Sequence, residues 1–173
     1  MRQLGQFGTE SRRFAQILGG RRRSARLIVV GTEEAEPWHF TAHLAEQAKR
    51  CGRNDLAPTL LRWNVSPGSP RHLAMPMECL TRVSPTETVL VVSPYGESEA
   101  LLNRVEDARR LGARILAIHP EGSELLDLSH DGLPIGSWAS GHEIEVGQHL
   151  VTSLAPLQAR GNGPVAPAFR PAV

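Results

Sequence analysis

Residues 88–118 constrain the fold more than any other stretch. Thr88-Val89-Leu90-Val91-Val92 is an unbroken apolar and β-branched run, and Ser93-Pro94-Tyr95-Gly96-Glu97-Ser98 after it has the composition of a turn. A strand with no polar face must be covered on both sides, which is the condition of a parallel sheet. Leu101, Val105, Ala108 and Leu111 then recur at helical spacing, and Gly112 stops the helix. Arg114-Ile115-Leu116-Ala117-Ile118 repeats the strand pattern. Strand, helix and strand in that order predict an α/β fold.

The rest of the chain fits the same alternation. Residues 4–18 carry a ragged apolar face, Leu4, Phe7, Phe14, Ile17 and Leu18, which Gly19-Gly20 ends. Arg26-Leu27-Ile28-Val29-Val30-Gly31 reads as a buried strand, and a helix opens near Pro37 with Phe40, Leu44 and Ala48 at its spacing. Leu60 to Val65 is expected as a short strand and Met75 to Val83 as a short helix. Ser123 can cap a helix over Glu124–Leu128, Asp131–Ile135 is the last strand, and residues 144–159 form the final helix. After Arg160 the Gly, Pro and Ala content predicts a disordered tail. The expected organisation is an N-terminal helix with an arginine-rich arm over 1–25, one α/β domain over 26–159, and a tail over 160–173. In such sheets ligands bind outside the carboxyl ends of the strands. That directs attention to the loops 31–36, 66–70, 93–98 and 119–123.

Charge and composition remove several functions. Lys49 is the sole lysine, and no Gly-x-x-x-x-Gly-Lys-Ser/Thr occurs, so a P-loop nucleotidase is excluded. Residues 1–26 hold seven arginines against one acid, Glu10, whereas the remainder carries twelve basic and seventeen acidic side chains. The arm suits a phosphate-rich partner or a solvated helical segment. Aromatic residues are 5% of the chain and do not interleave with basic ones, so nucleic-acid binding is not expected. No apolar run is long enough for a membrane span, and two cysteines, Cys51 and Cys79, make no disulfide scaffold, so a reduced cytoplasmic setting is expected. His39 and His43 stand four apart on a helix, the spacing of two metal ligands, but no third ligand is evident and no metal is expected. Trp38, Trp63 and Trp138 are read as packing residues.

Loop 93–98 is the best candidate for chemistry. It leads into a helix N-terminus, whose free N–H groups and dipole favour an anion, and Gly96 permits close backbone approach. Hydroxyls at Ser93, Tyr95 and Ser98 add donors, while Glu97 and Glu99 oppose a phosphate if they point inward. An ordinary capped strand-to-helix loop explains the same letters.

Val89-Leu90-Val91-Val92-Ser93-Pro94-Tyr95-Gly96-Glu97-Ser98 resembles the signature of the sugar isomerase (SIS) domain, a buried strand followed by Ser-x-Ser-Gly-Glu-Thr. Ala108-Arg109-Arg110-Leu111-Gly112-Ala113 resembles the family's Ala-x-x-x-Gly-Ala segment. Ser123-Glu124-Leu125-Leu126-Asp127-Leu128 resembles its short helix, and Glu143-Ile144-Glu145-Val146 its Glu-x-x-Val segment. The resemblance spans 26–159. It implies a three-layer fold of flavodoxin or Rossmann type, a five-stranded parallel sheet with helices on both faces, and a homodimer with the helix 4–18 across its interface.

The resemblance also implies a phosphosugar site with Ser93, Gly96, Glu97 and Ser98 at phosphate-loop positions and Tyr95 in place of the family's middle Ser. Departures mark a divergent member of bacterial type. The first loop is Gly31-Thr32-Glu33-Glu34-Ala35-Glu36-Pro37 instead of Gly-x-Gly-x-Ser, and its three carboxylates oppose a phosphosugar. Three functions follow, in order: a phosphosugar-binding protein that senses or regulates; an aldose–ketose isomerase with Glu145 as base, Glu143 next, and His119 shuttling a proton; and an interaction protein whose site is lost and whose arginine arm does the work. No cofactor is expected for any of them.

Overall fold

The computed structural model describes residues 2–20, 26–69, 75–136, 139 and 141–157, with the side chains of residues 2–4 and of Glu143 outside that set. Five strands, β1 (Leu27–Val30), β2 (Pro58–Leu60), β3 (Thr88–Val92), β4 (Arg114–Pro120) and β5 (Asp131–Ile135), form one sheet in the order β2-β1-β3-β4-β5. Every pairing is parallel. The strand order reverses between β1 and β3, which is the topological switch point of a doubly wound sheet.

Alternation along the strands builds a three-layer molecule. Leu27, Val29, Leu90, Val92, Leu116 and Ile118 face one way and pack against α1 (Arg2–Gly19), α2 (Trp38–Arg50) and α5 (Gly141–Leu154). Ile28, Val30, Val89, Val91, Ile115 and Ala117 face the other way. They pack against a 3-10 helix (Met77–Arg82), α3 (Glu99–Arg110) and α4 (Leu125–Leu128). Burial on both faces is why β1 and β3 read as continuous apolar runs.

The sequence expectations hold closely for β1, β3, β4, β5 and α3, and four details differ. The strand expected at 60–65 is instead Pro58–Leu60, set by pairing of Leu27 to Pro58 and Val29 to Leu60; only an isolated bridge, Arg62 to Pro76, lies further on. A proline at the start of an edge strand costs no ladder bond. The helix expected at 75–83 winds as a 3-10 helix. Leu111, read as inward-facing, is exposed at the C-cap of α3.

The fourth difference concerns α1. Its apolar side chains Phe7, Phe14, Ala15 and Leu18 are buried in this chain's own core. Phe7 seats against Gly147 of α5, where any side chain would collide with its ring. The apolar face assigned to a second copy is therefore covered within the protomer. Arg53 fastens the end of α1. It makes a two-pronged ion pair with Asp55, 2.8 Å on each arm, and donates to the Gly19 carbonyl at 2.9 Å. The hydrogen bonds to Asp55 raise the pKa of this buried guanidinium further above its ordinary value, so it stays charged at any pH of interest. The arginine run 21–25, Trp138 and the tail 160–173 lie outside the described residues. No helix among the described residues is long and apolar enough to cross a membrane.

Candidate functional site

A cleft of about 360 Å³ opens at the switch point. Ala35 to Phe40, from the loop after β1 and the start of α2, form one wall. Val92, Pro94 and Tyr95, from the end of β3, form the second. Gly141, Ile144, Glu145 and Gln148 of α5 form the third. Two helix N-termini, those of α2 and α5, therefore open on the cleft, with the β3 loop beside them. First-turn N–H groups have no carbonyl partner within their own helix, and the helix dipoles add positive potential at these ends.

Loop 93–98 uses most of its matched side chains on itself. The Ser93 hydroxyl is fully buried and donates to the Gly96 carbonyl. Gly96 sits at φ +115, a conformation that side-chain-bearing residues rarely adopt, so glycine is required by the turn itself. Ser98 is the N-cap of α3 and accepts from the Leu101 N–H at 3.3 Å. Glu97 turns toward the neighbouring loop, where it accepts from Ser123 Oγ at 2.6 Å and from the Glu124 N–H at 3.0 Å. Its carboxylate thus braces loop 93–98 against loop 119–123. Tyr95, the departure from the family pattern, is the loop residue that reaches solvent, 72% exposed, and lines the cleft.

The first loop differs from its sequence reading. Glu36 does not add a free negative charge. It takes a hydrogen-bonded ion pair from Arg62 at 3.0 Å, the Trp38 indole N–H at 2.9 Å and the Trp63 backbone N–H at 3.2 Å. Arg62 also lies over the Trp38 ring, 4.7 Å from its centroid. The Trp63 indole donates to the Gly31 carbonyl at 2.9 Å, and the Ala35 N–H bonds to Thr32 Oγ1 at 3.0 Å. Glu33 and Glu34 remain exposed. Sequence reasoning missed this Glu36–Arg62–Trp38 unit because Arg62 is 26 positions from Glu36 and 24 from Trp38. The one hint was Trp38 beside a helix-opening proline.

The three residues considered for catalysis are dispersed. Glu145 lines the cleft with Tyr95 and stands 3.9 Å from His149 Nε2. Glu143 precedes it by two positions on α5. His119 belongs elsewhere: it lines a second cleft of about 480 Å³ along the β5 edge, with Arg13 and Asp131. It is 2% exposed, its Nδ1 lies 2.8 Å from the Pro120 carbonyl, and its Nε2 has no partner. Among the described residues of loop 66–70, none lines the switch-point cleft.

No protein-family model and no curated protein sequence matches this chain. Solved structures do. The sugar isomerase domain of an RpiR transcription factor from Sphaerobacter thermophilus superposes with a TM-score of 0.61 at 19% identity, covering 90% of this chain and 82% of that one. The Vibrio vulnificus NanR protein complexed with ManNAc-6P gives a TM-score of 0.59 at 16% identity, over 89% of this chain and 59% of that one. An Escherichia coli CFT073 protein in complex with a phosphosugar gives 0.55 at 13% identity, over 91% and 88%. The chain has the fold of the sugar isomerase domain, in a divergent, SIS-like form.

Proposed function

We propose that this chain binds a phosphosugar in the switch-point cleft and acts as a sensor or regulator without turning its ligand over. The observation that carries this reading is the position of the cleft, at the carboxyl ends of β1 and β3, with the N-termini of α2 and α5 opening on it. Helix N-termini favour a phosphate without needing a lysine, which suits a chain whose sole lysine, Lys49, does not line the cleft. Trp38 and Tyr95 offer ring faces to a sugar. Ser93, Gly96, Glu97 and Ser98 shape and brace the loop that presents Tyr95. Two of the similar structures hold phosphosugars, ManNAc-6P in the NanR complex, which supports the ligand class.

The isomerase reading comes second and rests on Glu145, which is on the cleft wall, where a base must stand to move a proton. A pairing of two copies, expected from the resemblance, would need a face other than the buried one of α1, and light scattering would give its mass. A cytoplasmic setting accords with free Cys51 and Cys79.

Thermal unfolding in the presence of phosphosugars and their unphosphorylated counterparts tests the reading. A ligand at a hundred times its Kd stabilises the native state by about 2.7 kcal/mol. At least one phosphosugar should raise Tm while its unphosphorylated twin does not. A folded protein unmoved by the whole panel would overturn the reading and direct attention to the arginine arm. Turnover by the wild type, lost in Glu145→Gln with binding kept, would replace the sensor with the isomerase.

A further inference from the structure

The sequence singles out His39 and His43 and offers them no third ligand; the fold supplies one. His39 and His43 stand one turn apart on α2, Glu145 and His149 one turn apart on α5, and these two helices pack together. The His43 and His149 rings meet edge to face with centroids 4.5 Å apart, and the His39 ring is 6.4 Å from that of His43. Between these four side chains, walled by Phe40, Gln148 and Thr152, is a void of about 10 Å³, room for one water-sized centre.

We propose that this void is the seat of a divalent transition-metal ion, of the zinc or cobalt kind, held by His43 and His149 with His39 and Glu145 completing the shell. Three imidazoles with one carboxylate match the donors that zinc-like ions take. Magnesium and calcium are disfavoured, because they demand shells built mainly of oxygen. Tetrahedral ligands with bonds near 2.1 Å stand roughly 3.4 Å from one another. His149 Nε2 and Glu145 Oε1, 3.9 Å apart, are already close to that spacing. Among the described residues no three donors yet surround a common point. The side chains of His149 and Glu145 are 47% and 65% exposed, and His39 is exposed, so closure needs side-chain rotation and no movement of either helix. His39, Glu145 and Gln148 line both the void and the sugar cleft, which would place the ion beside the ligand.

The test is a titration of the tag-free chain with Co²⁺ and Zn²⁺, followed by the visible absorption of cobalt and by calorimetry, with no sugar present. Failure here therefore leaves the phosphosugar reading standing, and the reverse. One saturable equivalent is expected, with affinity reduced about tenfold or more in His43→Ala and in His149→Gln, and unchanged in His130→Ala on the far edge of the sheet. His149 is half exposed, so His149→Gln remains decisive even if His43→Ala fails to fold. Absence of a saturable equivalent, or one that survives His149→Gln intact, would overturn the proposal.

Discussion

The loops after β1 and β3 flank the same cleft and obey opposite rules. Loop 93–98 matches a phosphate-loop pattern letter by letter, yet its matched side chains serve the loop: Ser93 bonds Gly96, Ser98 caps α3, and Glu97 holds Ser123 and Glu124. Loop 31–37 matches nothing and carries three carboxylates, yet the one nearest the cleft is neutralised by Arg62 and organises Trp38. Letters at a loop show how it is built, whereas what it offers a ligand depends on which side chains are left over. Here those are Tyr95 and Trp38, both read differently from sequence.

The largest way to break this comparison is Glu36→Ala. Arg62 would lose its carboxylate in a poorly solvated site, and the Trp38 indole and Trp63 N–H would lose an acceptor. A loss of about 2–4 kcal/mol is expected in denaturant unfolding, with weaker ligand binding as Trp38 is released. An unchanged midpoint would mean that loop 31–37 is not held by this unit.

The two loop glycines sharpen the contrast. Gly31 has no room for a side chain, because a Cβ would collide with the Ala35 carbonyl and the Pro37 ring. Gly96 has open space around it but needs φ +115. Gly31→Ala should cost about 2 kcal/mol through overpacking. Gly96→Ala should cost about 1–2 kcal/mol through backbone strain. Gly96→Asn should recover part of that loss, because Asn tolerates positive φ better, whereas Gly31→Asn should recover nothing. Equal rescue at both positions would refute the distinction.

Much of the sheet was legible because its strands are buried on both faces. An apolar run such as 88–92 admits few other readings, and Gly112 marks its helix end. β2 was misplaced because Pro58-Thr59-Leu60 has little pattern of its own, and its register comes from β1. Residues 4–18 read correctly as a helix, but periodicity cannot say whether an apolar face packs at home or on a partner; Phe7 against Gly147 of α5 settles that in space. The site was half legible. Tyr95 and Glu145 could be placed by alignment to a pattern, whereas Glu36–Arg62 and His43–His149 are pairings between elements far apart in sequence, which no local spacing encodes.

Tyr95 is the single tyrosine of the chain, so a fluorotyrosine label gives one ¹⁹F resonance from the cleft wall. Titration with a phosphosugar that raises Tm should shift that resonance saturably, at the concentrations that produce stabilisation, and the unphosphorylated sugar should not. A resonance that stays fixed while the protein is stabilised would place the ligand elsewhere and contradict the assignment of the switch-point cleft as the phosphosugar site.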